Sequence, residues 1–322
     1  MLNDPRVSAC IVLYHPGDEV MDAIACLKAS VEPVAVFVAD NSPELPMGKR
    51  IQARWPDVTV LPQKGNVGFA KANNAVLPLL NSAYHLICNP DITFEPDLLL
   101  RMVRYMDEHK DIAILTPRVF NTDGSEQFLP KHRPTIRFLM GGPLAIRGEK
   151  VLKEAGAAAE RAAQLDAEAR ARWDSYHKRA RKGFSGLREL MICNRVEWRQ
   201  SFARWKAERL KRKGERLCRW RQAYTLQDDP PTQPMEVQFA TGCFLLIRSQ
   251  LFYRLRGFDE RFFLYQEDSD LTMRATRMGK VVYHPDMCVT HAWKRDSSHS
   301  FRQTLLHVQS TVKFFMKWGW RW

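Results

Sequence analysis

Short β-branched runs alternate with helix-compatible segments through the first third of the chain. This alternation limits the fold more than any other feature, because strands joined by helices build βαβ units and a largely parallel sheet. Val7 to Tyr14, Val34 to Ala39, Val58 to Leu61, His85 to Cys88 and Ile112 to Thr116 read as strands. Gly17 to Ala29, the residues after Gly68 as far as Leu80, and Asp97 to Asp107 read as helices. In such sheets ligands sit beyond the carboxyl ends of the strands. That rule singles out Asp40, Asn41, Asn89 and Asp91, each just after a strand.

The pattern changes between Pro143 and Asp229, where Ala, Arg, Glu, Lys and Trp dominate and no proline intervenes. This predicts a helical insertion, placed over residues 136–235. Trp198, Phe202 and Trp205 fall at i, i+4 and i+7 within it, an aromatic stripe beside Arg and Lys. The chain has 322 residues and a net charge of +13, and residues 147–221, with 22 Lys+Arg against 10 Asp+Glu, carry +12 of it. The remainder is a nearly neutral globular protein. Seven scattered cysteines without a C-x-x-C pair suggest neither a disulfide framework nor a zinc site, and fit a reducing cytoplasm. The residues from Met1 show no basic n-region or cleavage site, and no run reaches about 18 apolar residues, so neither a secretion signal nor a membrane span is expected.

Residues 256–270 combine a glycine turn, an aromatic run and closely spaced carboxylates. Aromatic walls beside acids suit a general base of raised pKa, or a polar handle on a hydroxyl-rich ligand. The same residues suit a helix start, with Asp268 capping the first turn, Glu267 favouring the dipole and Asp270 pairing with Arg274. Upstream, Lys64 to Asn74 places Gly65 and Gly68 at a strand-to-helix turn, where free amides could approach a polar ligand. The spacing is neither a dinucleotide fingerprint nor a P-loop. Asp40-Asn41 could bind a ribose or base, and Asn89-Pro90-Asp91 could bring one carboxylate to a divalent cation; both pairs also suit plain turns.

Six motifs occur in order: Val-Ala-Asp-Asn, Gly-Asn-x-Gly-Phe-Ala-x-x-Asn, Asn-Pro-Asp, Thr-Gly-Cys-Phe-Leu-Leu-Ile-Arg, Gly-Phe-Asp-Glu-x-Phe-Phe-Leu-Tyr-x-Glu-Asp-x-Asp-Leu, and a later His291. Together they resemble family 2 glycosyltransferases of the rhamnosyltransferase-like branch, over residues 5–135 and 236–300. The resemblance implies an α/β GT-A nucleotide-diphospho-sugar transferase fold with a mostly parallel central sheet. It divides the chain into a nucleotide-sugar half at 1–135, the basic insertion at 136–235, an acceptor and catalytic half at 236–300, and an amphipathic tail at 301–322. It also implies a nucleotide-diphosphate sugar donor, inversion at the anomeric carbon, and Mg²⁺ or Mn²⁺. Asp40, Asn41, Gly68, Asn73, Asn89, Asp91 and Gly242 would line the donor site. Asp91, with His291, would hold the metal, and Asp268 would be the general base beside Glu267. The first position of the metal motif is Asn89 where the family's Asp-x-Asp has an acid.

The resemblance does not cover the basic insertion. Its acceptor would be a glycan on a lipid carrier, so docking at the inner face of the cell membrane through the insertion and the Trp-rich C-terminal tail is expected. Rhamnose from dTDP-rhamnose is the expected donor, with a UDP-hexose as the alternative. A nucleic-acid-binding protein or scaffold on a transferase fold is the rival of another class; nucleic acid is disfavoured by the neutral body.

Overall fold

The computed structural model describes residues 5–129, 131–183, 186–227, 229–292 and 301–322. Residues 293–300, which end the stretch carrying the resemblance, lie outside them. The chain forms two compact units, one of residues up to Pro134 with Thr225–Arg321, the other Thr135–Tyr224.

In the first unit the chain runs β1 (Val7–Leu13), α1 (Glu19–Ala29), β2 (Val34–Asp40), α2 (Met47–Arg54), β3 (Thr59–Pro62), α3 (Phe69–Asn74), β4 (Tyr84–Cys88), β5 (Ile92–Phe94), α4 (Leu98–Glu108) and β6 (Ile112–Phe120). The second unit is α5 (Ile136–Ala180) and α6 (Leu187–Tyr224). The chain then returns through β7 (Met235–Glu236), β8 (Phe244–Arg248), α7 (Ser249–Arg254), α8 (Glu267–Ala275), β9 (Lys280–His291) and α9 (Phe301–Trp318).

The sheet order is β3-β2-β1-β4-β8-β6-β9-β5, with β7 pairing β9. β3, β2, β1 and β4 are mutually parallel, as are β6 and β9; β8 runs antiparallel between β4 and β6. β1 is buried at all seven positions, which is why it reads as a continuous apolar run rather than an alternating one. β6 continues past the expected Thr116 through Pro117, and the register with β9 shifts between Pro117 and Arg118, where the missing N–H is tolerated.

The helix expected after Gly68 ends at Asn74 and not at Leu80. The Asn73 side chain donates back to the Phe69 carbonyl, Asn74 is held by a distant loop, and Pro78 allows only a short 3₁₀ turn over Leu77–Leu79. The helical insertion begins before Pro143, which lies inside α5; Thr135 caps it by accepting the Phe138 N–H through Oγ1 at 3.2 Å.

α5 and α6 form an antiparallel hairpin along a seam of small residues. Gly141, Ala145, Gly148, Ala155, Ala162 and Ala169 of α5 are buried, as are Cys193, Val196, Gln200, Gly214 and Cys218 of α6. The steps of three, four and seven residues are those of a heptad seam, and the small side chains let the helices approach closely. A Cβ on Gly148 would lie 2.6 Å from Cys218 Sγ and 2.9 Å from the Gly214 carbonyl. Asp166 accepts from Gln200 and Arg204 across the seam, a polar layer that pins the register.

Candidate active site

The parallel strands deliver their polar residues at one end of the sheet. Asp40 closes β2 and is buried; its Oδ1 accepts the Ser42 N–H at 3.0 Å. Asn41 is engaged at both ends of its amide, donating to the Gly68 carbonyl and accepting from Val67 N–H. It therefore holds the glycine turn in place.

Gly68 has φ +88°, and a Cβ there would stand 2.5 Å from the Phe263 carbonyl. The next amide, Phe69 N–H, donates to that same carbonyl at 2.9 Å. The glycine turn is thus the seat of the aromatic loop some two hundred residues away. Asn73 lies beside it, fully buried, with its Oδ1 unpartnered. Its neighbour Asn74, which the sequence reading passed over, does more. Its Oδ1 accepts Phe258 N–H, and its Nδ2 donates to the Phe258 carbonyl and to Glu260. The repeated Asn-Asn at the end of the second motif was the available signal.

The aromatic loop turns into α8 through Tyr265 and Gln266, two successive non-glycine residues in the left-handed region at φ 70° and 66°. Such backbone is strained and persists only where surrounding contacts over-determine it. α9 supplies several. Ser310 donates to the Leu264 carbonyl, Lys313 to Arg261, Lys317 to Asp259 and Asp270, and the Trp318 indole to Asp270. Asp270 is fully buried and also pairs with Arg274 at i,i+4. Phe314 and Phe315 pack inside, so much of the C-terminal tail serves the loop rather than standing free.

The strained turn places Glu267 and Asp268 at the start of α8. Asp268 Oδ2 accepts Gly242 N–H at 3.1 Å, and Oδ1 accepts Ser269 N–H at 2.7 Å. Glu267 is buried, and its Oε2 has no hydrogen-bond partner among the described residues. Burial pushes the Glu267 carboxyl well above the usual range, and the Asp268 charge pushes it further. Burial also raises Asp268, but the nearby Lys131 ammonium and the two amides oppose that rise. Burial thus raises Glu267 without an opposing cation, whereas Lys131 and the backbone amides support the charge on Asp268. Lys131, whose ammonium lies over the Phe239 ring at 4.9 Å, was not singled out in the sequence.

Across the Gly242-Cys243 segment lies the second half of the site. Asn89 N–H donates to the Cys243 carbonyl at 2.8 Å, and the Cys243 thiol is pushed up to about 12, by burial first and with both Asp268 and Asp91 contributing. Asp91 Oδ1 stands 3.1 Å from His291 Nε2. Gln127 decides the imidazole's tautomer. Its Nε2 donates to Asn121 and to the His291 carbonyl, so its Oε1 accepts from His291 Nδ1 at 3.0 Å. With the proton on Nδ1, Nε2 faces the Asp91 oxygen and, at 3.4 Å, the Asn89 side-chain amide. A carboxylate oxygen beside an imidazole nitrogen whose other nitrogen is held by Gln127 is a donor set that fits a divalent metal with an oriented histidine ligand. Among the described residues no group of three or more His, Cys, Asp or Glu gathers to hold a metal, so further ligands would come from water and a substrate diphosphate.

The mixed sheet, with Asp40 closing β2, Asp91 following β4 and the acid pair opening α8, is of the GT-A fold class. The fold agrees with solved structures. A mannosyltransferase, PcManGT of Pyrobaculum calidifontis, in complex with GDP-Man and Mn²⁺, aligns with TM-score 0.51 at 14% identity, over 98% of this chain and 65% of that one. GalNAc-T7 with UDP, GalNAc and Mn²⁺ aligns with TM-score 0.51 at 10% identity, over 91% of this chain and 44% of that one. Residues 8–160 match the family model described as glycosyl transferase family 2. An N-acetylglucosaminyl-diphospho-decaprenol L-rhamnosyltransferase of Mycobacterium tuberculosis is 24% identical over 293 residues, 87% of this chain and 74% of that protein. The rhamnosyltransferase WbbL of Escherichia coli is 31% identical over 83 residues, 25% of this chain and 31% of that protein. Over residues 8–160, just under half of its length, the chain is similar to glycosyltransferase family 2.

Proposed function

We propose that this enzyme transfers rhamnose from dTDP-rhamnose, with inversion, to a glycan on a lipid-diphosphate carrier or a growing surface polysaccharide. The observation that carries the reaction class is the asymmetric acid pair, Glu267 buried with its Oε2 unpartnered among the described residues, Asp268 held by Gly242 N–H beside it. The rhamnosyl and lipid-linked parts rest on likeness to the mycobacterial and E. coli rhamnosyltransferases.

Asp40 contacts the nucleoside in this reading, while Asn41, Gly68 and Asn73 shape the turn against which the donor lies. Asp91 and His291, flanked by Asn89, would hold Mg²⁺ or Mn²⁺, which when bound neutralises charge on the departing diphosphate. Asp268 takes the proton of the acceptor hydroxyl. The hydroxyl oxygen forms its bond to the anomeric carbon as the bond to the diphosphate oxygen breaks on the opposite face. Gly242, with no side chain, keeps the approach to Asp268 open; Thr241 ties this segment to the Leu129 carbonyl.

The test is donor binding and hydrolysis across a panel of dTDP-, UDP- and GDP-sugars with Mg²⁺ or Mn²⁺. Selective dTDP-rhamnose binding is expected, lost in Asp91→Ala and retained without turnover in Asp268→Asn. Preference for a UDP-hexose would overturn the donor; binding unaffected by Asp91→Ala would overturn the metal assignment.

A further inference from the structure

α6 has two faces of opposite character. The inner one is the small-residue seam against α5. At ~100° per residue, Trp198, Phe202 and Trp205 fall on the far side of the helix from that seam. They are 68%, 50% and 53% exposed. The Trp198 and Phe202 rings stack at 5.8 Å between centroids, and Trp205 lies tilted against Phe202 at 5.6 Å. Toward the N-terminal end Leu187 and Met191, 81% and 70% exposed, extend the same stripe.

Arg195, Arg199, Lys206, Arg209, Lys213 and Arg216 share an arc of ~120° with the stripe and are all exposed. Arg209 lies over the Trp205 ring. Among the described residues none of the six makes an ion pair. The glutamates of α6, Glu189, Glu197, Glu208 and Glu215, all fall on the remaining side of the helix, where Glu189 pairs with Arg179 and Glu208 with Arg212. The outward side of α5 is different, since Lys150, Lys153 and Arg161 are interleaved with Glu154, Glu160 and Glu168. A merely solvated helix mixes its charges in that second way. An acid-free arc of cations around exposed aromatic and aliphatic side chains is the layout of a helix lying in an anionic interface.

We propose that this face of α6 docks on an anionic phospholipid bilayer. Trp198, Phe202 and Trp205 enter the interfacial layer, and the six cations lie over the headgroup phosphates. Nucleic-acid phosphates would attract the same cations, but Leu187 and Met191 have no ring face on which a base could stack. The inference goes beyond the proposed reaction and does not depend on the donor.

The test is co-sedimentation of the full chain with vesicles of phosphatidylcholine alone, or of phosphatidylcholine mixed with phosphatidylglycerol. Binding is expected on the mixed vesicles only. The triple change Arg195→Glu, Arg199→Glu, Lys206→Glu is expected to weaken it by about a hundredfold, while Lys150→Glu, Lys153→Glu, Arg161→Glu on α5 leaves it nearly unchanged. Brominated lipid should quench tryptophan fluorescence in the parent and much less in Trp198→Phe/Trp205→Phe, a pair that preserves an apolar face. Circular dichroism confirms that each variant is folded, and donor hydrolysis by the same preparations reports separately on the transferase reading. Equal binding to neutral vesicles, an equal loss from the α5 control, or α6 variants that lose RNA binding but keep vesicle binding would overturn the proposal.

Discussion

The amide of Gly242 donates to Oδ2 of Asp268 at 3.1 Å, and a Cβ on Gly242 would stand 3.2 Å from the Asp268 Cβ. One backbone position thus both stabilises the ionised carboxylate and sets how close it sits. Gly242→Ala is expected to push Asp268 aside and lower kcat by about 10- to 100-fold, with little change in donor binding. Steady-state kinetics beside calorimetric donor titration separates the two effects.

Glu267 has its carboxyl held above the ordinary value by burial. For a group of raised folded pKa, the stability it contributes is full below its unfolded value and is lost as pH rises through the folded one. Glu267→Gln removes that loss. The variant and parent should melt together near pH 4, and the variant should melt progressively higher from there to pH 8, at about 2–4 °C for each kcal/mol. Turnover tests its place in the pair, because Asp268 would then titrate without a coupled neighbour.

Trp318 and Asp270 connect the C-terminal helix to the first turn of α8, which follows the aromatic loop, through a 2.8 Å hydrogen bond to a fully buried carboxylate. Trp318→Phe keeps the ring and removes the donor. A loss of about 1–3 kcal/mol is expected in urea unfolding, with faster proteolysis within residues 258–266. An unchanged proteolysis pattern would show that α9 does not brace the loop.

Gly148 and Gly156 lie on the same helix in different surroundings. A Cβ on Gly148 meets Cys218 and the Gly214 backbone, whereas nothing lies within 4 Å of one on Gly156. Gly148→Val is expected to destabilise the hairpin by about 1–3 kcal/mol. Gly156→Ala should stabilise it by about 0.5–1 kcal/mol. Thermal unfolding followed at 222 nm reads both, and equal effects would contradict the close-packed seam.

Much of the candidate site's placement was legible because its residues are recruited by short-range chemistry. Asp40, Asn89 and Asp91 follow strands, Glu267 and Asp268 open a helix, and glycines mark turns, all within a few residues of the pattern that reveals them. What escaped reading depends on contacts between distant parts of the chain. Asn74 reaches Phe258, Gln127 sets the tautomer of His291, Lys131 lies near Asp268, and Gly68 turns out to be a seat for Phe263.

The amino-acid order by itself determined β1, β2, β3, β4, β6, α1 and α4, the existence of the basic helices and the identity of the acids, because periodicity, turn chemistry and charge are local properties. Tertiary structure alone decided which strand pairs with which, including β8 running antiparallel between β4 and β6. It also decided that Ala and Gly in α5 form a seam rather than a neutral face, and that one of two adjacent acids is buried with one oxygen unpartnered among the described residues while the other keeps two amides. Pairing, burial and pKa are set by what surrounds a residue in space, and a pattern along one chain does not contain those neighbours.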